Sequence, residues 1–205
     1  MRLLILSVGV LLAACQRETV ASQEPGPAPA PPVAVDVSSR QAGHIEGWQT
    51  HGAVCNLLTT PEFSLQKLGG GSVTHEQLRG RWTILGFWNA TLAGVADEVR
   101  YLRALNSAAN QDPDLDLVTV YLKLDAAGTD VAGWFAKNGG DPWPTLIDEG
   151  GAGGTFGVTV LPAYFLIGPD LTIRACRGAL SSDPDGIKSV IRGVAEVRRK
   201  VAAPQ

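Results

Sequence analysis

Residues 82–98 of this 205-residue chain have the sequence WTILGFWNATLAGVADE, which joins two secondary-structure patterns. The first seven residues carry no charge and are mostly apolar, as is typical of a strand buried on both faces of a sheet. Farther along, Val95, Val99, Leu102 and Leu105 recur at the spacing of an amphipathic helix. The segment therefore predicts a buried strand that leads through a short turn into a helix.

Strand and helix patterns alternate in the segments around this one. In chain order they predict a hairpin over residues 61–65 and 72–74, a buried strand over 115–122, a short helix over 129–138, a brief strand over 145–147, and a second hairpin over 163–167 and 171–175. This alternation predicts an α/β domain with a mixed sheet, in which the second hairpin forms an antiparallel edge. The glycine cluster within residues 150–154 predicts a flexible loop and not a phosphate-binding cradle.

The last predicted element is an amphipathic helix. Asp183 is the expected N-cap and Pro184 the first helical residue. The basic residues 198–200 predict a solvated helix end that complements the helix dipole. The expected apolar stripe consists of Ile187, Val190, Ile191, Val194 and Val201.

Composition excludes several classes of protein. The chain has 20 acidic and 17 basic residues, so it lacks the basic excess of a nucleic-acid-binding protein, and we expect no nucleic-acid partner. Hydrophobic residues make up 45% of the sequence, which is enough to fill a core. The three cysteines, Cys15, Cys55 and Cys176, are too few for a disulfide scaffold or a four-thiolate zinc site, and no two of them form a Cys-x-x-Cys pair.

The N-terminal segment has the pattern of an export signal. After Arg2, a run of uncharged and mostly apolar residues extends to Ala14, which is shorter than the roughly 20 residues that span a bilayer. Residues 1–14 therefore predict a secretory signal peptide. The sequence Leu-Ala-Ala-Cys that ends at Cys15 resembles the bacterial lipobox, which implies that a lipid is attached to this thiol; the alternative is an ordinary signal peptide with an incidental cysteine. By resemblance to lipoprotein sorting patterns, a residue other than Asp after this cysteine, here Gln16, favours the outer membrane.

Residues 15–44 form the predicted tether between the lipid and the domain. This segment contains five of the thirteen prolines, interleaved with alanine, and such a composition favours an extended polyproline II conformation. The domain itself is predicted over residues 45–203. The export signal and the lipobox together place it in the cell envelope, facing the periplasm.

Three motifs resemble, in order, those of the thioredoxin superfamily, and in particular the TlpA-type thiol–disulfide oxidoreductases and their alkyl hydroperoxide reductase (redoxin) relatives. They are PEFSL at residues 61–65, ILGFW at 84–88 and FGVTVLP at 156–162. The resemblance covers residues 57–195. It implies a thioredoxin-like α/β fold with a central mixed sheet flanked by helices and an N-terminal β-hairpin extension. It also implies that Pro162 is the cis-proline beside the family's active site.

The chain departs from this family at the reactive positions. Leu92 and Val95 fall on the two positions of the family's Cys-x-x-Cys, although Glu98 matches the glutamate that follows it. Against the peroxiredoxin pattern Thr-x-x-Cys, Thr91 matches but Gly94 occupies the position of the reactive cysteine. Dithiol exchange needs a thiolate and a second sulfur, which leucine and valine cannot supply. We therefore predict no catalytic residue at these positions.

The remaining thiols leave several alternatives. Cys55 and Cys176 are predicted to form a structural disulfide in the oxidising envelope, the other possibilities being two separate buried cysteines or a relocated redox pair. His44 and His51 lie near Cys55 in sequence, a combination that suits copper or zinc, but isolated exposed histidines are more common. We therefore predict no metal site and no cofactor.

The functional prediction follows from a retained scaffold and an absent dithiol. We expect a lipid-anchored envelope protein that binds another envelope protein or an extended peptide without catalysis. By the resemblance, the peptide-binding groove contains Trp88, Thr91, Leu161 and Pro162. One alternative is a redoxin-type oxidoreductase or peroxidase that uses the two domain cysteines, and a second is a purely structural envelope lipoprotein.

Overall fold

The structure is a computed structural model that describes residues 44–45, 48–49, 59–124, 128–138, 143–180 and 185–202, all within the unit Ser38–Gln205. The predicted signal peptide lies outside the described residues, as does the predicted tether up to residue 43. Six residues named above also lie outside the described residues: Cys15, Gln16, His51, Cys55, Asp183 and Pro184.

One mixed sheet holds the described strands together, in the order β1-β2-β9-β8-β5-β6-β7-β3-β4. Strands β5, β6 and β7 are parallel, β8 and β9 form an antiparallel hairpin beside β5, and β3 and β4 form another beside β7. The described strands are β1 His44–Ile45, β2 Trp48–Gln49, β3 Ser64–Lys67, β4 Ser72–Thr74, β5 Trp82–Trp88, β6 Leu115–Leu122, β7 Thr145–Asp148, β8 Ala163–Ile167 and β9 Ile173–Arg177.

Strand β5 lies at the centre of this sheet because it carries no charge and can be buried on both faces. All seven of its residues are buried, and it pairs in parallel with β6 from Trp82 opposite Leu115 to Trp88 opposite Tyr121. On its other side it pairs antiparallel with β8. Its C-terminal end is thereby held from both sides at the point where the chain leaves for the first helix.

Helices cover the two faces of the sheet. In the described residues they are α1 Val95–Ala109, α2 Val131–Lys137, α3 Ala152–Thr155, α4 Ile187–Ala202 and a 3₁₀ turn at His75–Leu78. Residues of α1, α2 and α4 pack on one face with Trp88 and Tyr164. The 3₁₀ turn and α3 pack on the other face with Phe87, Phe165 and Cys176. The predicted thioredoxin-like α/β architecture with its N-terminal hairpin is therefore confirmed.

Two predictions about the second hairpin are wrong. Its second strand begins at Ile173 and not at residue 171, because Leu171 has a φ of 64°, in the left-handed region that a strand does not contain. The hairpin is also not the edge of the sheet, since β2 pairs with β9. Burial of Trp48, whose indole N–H donates to the Val190 carbonyl at 3.0 Å, fixes this additional strand against α4.

The predicted flexible glycine loop is also wrong. Residues 152–155 form the short helix α3, and Gly153 is buried within it. The Asp148 carboxylate accepts hydrogen bonds from the N–H groups of Gly150 and Gly153, each at 2.9 Å. A side chain of β7 thus orders the segment that composition alone suggested was loose.

The last helix differs from its prediction in three ways. It begins at Ile187 and not at residue 184, because Gly186 has a left-handed φ of 56° that interrupts a helical path. Val201 is 45% exposed, whereas Val197 is buried and takes its place in the apolar stripe. Arg198 is not a solvated helix end, because its guanidinium lies 2.7 Å from the Asp112 carboxylate and 5.8 Å from the ring centre of Trp82.

Candidate functional site

The turn between β5 and α1 is held by a buried side chain that the sequence analysis did not identify. Asn89 is fully buried and its Nδ2 donates to the Leu122 carbonyl at 2.6 Å. Its Oδ1 accepts from the Thr91 N–H at 2.7 Å and from the Thr91 hydroxyl. A polar residue directly after a buried strand is the signal that could have indicated this turn. The contacts attach the turn to the end of β6.

Leu92 and Val95, which the family resemblance aligns with two cysteines, lie together at the start of α1. Val95 is the first helical residue and its N–H donates to the Leu92 carbonyl at 3.2 Å. Gly94 precedes it with a φ of 78°, a conformation that favours glycine. Both aliphatic side chains are half-buried. The positive end of the helix, which would stabilise a thiolate, therefore faces two side chains that cannot ionise.

A pocket of about 110 Å³ opens between the start of α1 and the loop before β8. The peptide bond Leu161–Pro162 is cis, as the family resemblance implied, and Pro162 forms one wall. Of the four predicted peptide-binding residues, Trp88 and Pro162 line the pocket, whereas Thr91 is exposed and Leu161 half-buried on the segments that flank it. The complete lining consists of Trp88, Leu92, Ala93, Gly94, Val95, Asp97, Glu98, Pro162 and Ala179.

Glu98 is buried at the base of this pocket, with only 4% of its surface exposed. Its Oε1 accepts from the Tyr164 hydroxyl at 2.5 Å and from the Leu180 N–H at 2.9 Å. Burial and the neighbouring Glu98 carboxylate raise the pKa of Tyr164 well above 10, so the phenol remains a donor at neutral pH. Glu98 therefore joins α1 to β8 and to the segment before α4.

Close packing against Gly86 sets the position of the Tyr164 ring. The two residues face each other across β5 and β8, and a Cβ at position 86 would lie 2.6 Å from the nearest ring carbon. Only glycine leaves room for the ring in this orientation. Gly86 thus acts on the site through Tyr164, a role that its place in an apolar strand did not reveal.

Trp88 forms the floor of the pocket and belongs to the core more than to the surface. Its side chain is 1% exposed and its indole N–H donates to the Thr119 hydroxyl at 3.3 Å. Four aromatic rings surround it at centroid distances between 5.1 and 6.0 Å, which are those of Tyr121, Trp134, Phe135 and Trp143. Packing on all sides makes this floor rigid.

Cys176 lies away from the pocket. It is fully buried in β9 and disulfide-bonded, and it packs with Phe87 and Phe165 on the face of the sheet opposite to Tyr164. Its partner lies outside the described residues, so pairing with Cys55 stays a prediction. In the part of the chain that the structure describes, no group of three His, Cys, Asp or Glu side chains could hold a metal ion, and no helix is long and apolar enough to cross a membrane.

The segment before Pro162 presents main-chain groups beside the pocket. Within the described residues, the N–H and C=O groups of Val160 and Leu161 make no hydrogen bond to other main-chain groups. The Val160 side chain is 68% exposed, the largest exposed fraction among the large hydrophobic residues of the described chain. Unpaired main-chain groups at such a bend can pair with those of an incoming strand.

Comparison of the sequence with known families identifies a match. A family model for the AhpC/TSA family matches residues 58–176, which is more than half of the chain. No curated protein sequence matches the chain.

Similar solved structures come from several bacteria. A structure described as the thiol:disulfide interchange protein DsbE of Chlorobium tepidum is 16% identical, with a TM-score of 0.56 over 67% of this chain and 96% of that one. A structure described as a thioredoxin of Neisseria meningitidis is 25% identical, with a TM-score of 0.56 over 73% and 95%. The exposed lipoprotein thioredoxin of Streptococcus pneumoniae is 18% identical, with a TM-score of 0.51 over 64% and 98%. These likenesses show a thioredoxin-like fold.

Proposed function

The chain belongs to the AhpC/TSA family, and because Leu92 and Val95 stand at the family's thiol positions, we propose that it binds an extended peptide or protein segment without catalysing thiol exchange. The observation that carries this proposal is the pocket between α1 and Pro162, which keeps its walls and its buried Glu98 but is lined by no sulfur. Its function is therefore one of recognition.

Strand pairing is the binding mode that the site supports. The unpaired main-chain groups of Val160 and Leu161 supply the hydrogen bonds of a short antiparallel addition. The adjacent pocket receives one side chain of the added segment. Main-chain pairing provides affinity for any extended segment, and the pocket provides selectivity.

Two further interpretations are less well supported. A redox enzyme that uses Cys55 and Cys176 needs a sulfur that a thiolate can attack, but Cys176 is fully buried on the face of the sheet away from the pocket. In a purely structural lipoprotein, the unpaired main-chain groups beside an open pocket would have no function.

We also propose that the protein is located in the cell envelope. A lipid on Cys15 anchors the domain to the outer membrane, facing the periplasm, and residues 15–44 act as the tether. The lipobox pattern and the similar fold of the exposed lipoprotein thioredoxin of Streptococcus pneumoniae support a lipid anchor in the envelope, and Gln16 after the lipobox cysteine favours the outer membrane.

Membrane fractionation tests the anchor. We expect the chain, produced in a Gram-negative host with labelled palmitate, to incorporate label and to sediment with outer membranes. Cys15→Ser removes the thiol that accepts the lipid, so we expect it to incorporate no label and, because cleavage follows lipid attachment, to keep its signal peptide and run as a larger precursor. Absence of label in the parent chain, or equal labelling of Cys15→Ser, would contradict the lipid anchor.

Site-specific photo-crosslinking tests the groove. A photoreactive phenylalanine analogue is placed at Val160, and in a matched control at Leu124, which is exposed to a similar extent at 64% but lies beyond the end of β6 and not in the segment before Pro162. With the purified full chain and a mixture of unstructured ten-residue peptides, we expect crosslinks from position 160 in excess over position 124. Equal crosslinking from both positions, or turnover of insulin disulfides by the unmodified protein, would overturn the proposal.

A further inference from the structure

We propose, on the premise that the groove binds an extended segment, that its pocket selects an aliphatic side chain that lies next to a basic residue. The walls that an inserted side chain contacts are supplied by Leu92, Val95 and Pro162, with Ala93 and Ala179 beside them. Leucine and valine at the thiol positions thus do more than remove the reactive groups. They form an apolar subsite.

The size of the pocket limits what enters it. An apolar cavity of roughly 150 Å³ accommodates a benzene ring, and this pocket, at about 110 Å³, is smaller. A valine, isoleucine or leucine side chain therefore fills the pocket, whereas an indole extends beyond it and leaves part of its apolar surface in water. The rigid floor formed by Trp88 prevents the pocket from deepening to admit a larger group.

The charge of the lining sets the second preference. Asp97 and Glu98 are its only charged residues. Glu98 is buried among hydrogen-bond donors at the base, and Asp97 is 66% exposed at the rim, where its carboxylate lies 3.4 Å from the Arg100 guanidinium. An acidic group brought into this pocket would lie beside Glu98 with little water between them, which is unfavourable. A lysine or arginine next to the inserted residue lies near Asp97, where it competes with Arg100 for the carboxylate, and salt screens this attraction.

Fluorescence polarisation with designed peptides tests this selectivity. The probes are labelled ten-residue peptides of Gly, Ser and Asn with one central residue, either Leu, Val, Ala, Trp or Glu, flanked on each side by Lys or by Glu. Against the detergent-solubilised full chain, we expect the Leu and Val peptides with Lys flanks to bind roughly tenfold more tightly than the Ala peptide. Peptides with central Trp or Glu, or with Glu flanks, bind more weakly, and salt reduces the preference for Lys.

Variants of the protein separate the pocket from the rest of the groove. Ala93→Phe fills the pocket from an exposed position and is expected to abolish the difference between Leu and Ala peptides, whereas Ala104→Phe, at an exposed position on α1, retains it. Val95→Thr keeps the shape of the side chain and is expected to reduce the preference for Leu. Asp97→Asn is expected to remove the preference for Lys flanks.

The outcomes distinguish this inference from the proposed function. If all peptides bind with the same affinity and Ala93→Phe changes nothing, selection by the pocket is wrong while binding in the groove stands. If no peptide binds at all, both fail. If binding follows the Lys flanks alone, irrespective of the central residue, the aliphatic subsite is overturned.

Discussion

Glu98 is the residue through which the retained part of the site is held together. A carboxylate buried to this degree is tolerated only when it accepts hydrogen bonds, and Tyr164 and Leu180 donate two of them. One donor belongs to the strand after the cis-proline and the other to the segment that leads to the last helix. Loss of either donor is therefore expected to loosen two walls of the pocket together.

Tyr164→Phe tests the first of these donors. We expect the free energy of unfolding to fall by about 1–3 kcal/mol, because the ring is kept while a buried carboxylate loses a partner. Urea denaturation at pH 7 measures the change. Thr172→Val is a suitable control because it removes a hydroxyl whose bond to Asp170 is exposed, and we expect a smaller loss. Equal losses in the two variants would contradict the role assigned to Glu98.

The raised pKa of Tyr164 predicts an alkaline loss of stability. Above pH 10 the phenol of the unfolded chain releases its proton while the buried phenol keeps it, so the unfolded state binds fewer protons and unfolding becomes more favourable. The contribution of Tyr164 to the free energy of unfolding is fully present below about pH 10. It falls by at most about 1.4 kcal/mol per pH unit as the pH rises toward the pKa of Tyr164 in the folded protein. Denaturation curves between pH 9 and 11 should show this component, and Tyr164→Phe should lack it.

Gly86→Ala tests the packing that positions the same ring. A methyl group 2.6 Å from the Tyr164 ring forces a shift, and we expect a loss of about 1–3 kcal/mol in unfolding free energy. Gly178→Ala is the matched control, since a Cβ there meets nothing within 4 Å, and its effect should stay within about 0.5 kcal/mol. In a Tyr164→Ala background, Gly86→Ala should cost little, because the clashing ring is gone.

At the scale of elements, α4 is attached at its C-terminal end by Arg198. Its guanidinium pairs with Asp112, in the turn after α1, and lies over Trp82 at the start of β5. Burial acts to raise the pKa of Asp112, but hydrogen bonds from the Asp114 N–H and from Arg198 outweigh it and hold that pKa below its ordinary value. One side chain therefore connects a helix, a turn and the central strand.

Arg198→Met tests this attachment. We expect a loss of about 1–2 kcal/mol in unfolding free energy, whereas Lys200→Met, which breaks a helical pair with Glu196, should cost at most about 0.5 kcal/mol. Because the lowered pKa of Asp112 contributes stability that is present above pH 4 and lost as pH falls, the variant should also be less sensitive to acid than the parent. Denaturation at pH 7 and pH 3 measures both effects, and equal losses for the two variants would refute the attachment.

The elements with long, regular patterns were predictable from the sequence, and those fixed by distant contacts were not. Periodicity was sufficient for β6 and α1, because their apolar residues repeat over many positions. It did not indicate β2, whose pairing depends on the contact of Trp48 with Val190, 142 residues away. The capping pattern placed the start of α4 too early, because it did not account for the left-handed conformation of Gly186.

The residues of the candidate site also differ in how far they could be predicted. Leu92, Val95, Glu98 and Pro162 were identified because a motif fixes their positions along the chain. The partners of Glu98 were not, because Tyr164 and Leu180 are 66 and 82 residues distant and meet it only after the sheet has formed. Ala179 was not identified either, because it also reaches the pocket only after the sheet has formed.

At the scale of the whole molecule, the fold places a helix N-terminus, the cis Leu161–Pro162 bond and the buried Glu98 around Leu92 and Val95. If these two residues stand at the family's thiol positions, as we propose, cysteines placed there should restore thiol exchange. In Leu92→Cys/Val95→Cys, the thiolate at the helix start attacks a substrate disulfide, and the second thiol displaces the reduced substrate while both cysteines become oxidised. External dithiothreitol returns them to the reduced state.

We therefore expect Leu92→Cys/Val95→Cys to reduce insulin disulfides at least roughly tenfold above the dithiothreitol background, whereas the parent shows no increase. Leu92→Ser/Val95→Ser controls for the loss of the two aliphatic side chains, and should be inactive. The same double-cysteine variant should lose most of the preference for aliphatic peptides, because its smaller side chains leave less apolar surface for an inserted residue to contact. A variant that folds, forms the new disulfide and still has no turnover would show that the scaffold has lost more than its two cysteines. Gain of turnover together with loss of aliphatic selectivity would mean that the same two positions determine both the chemistry of the family and the recognition by this chain.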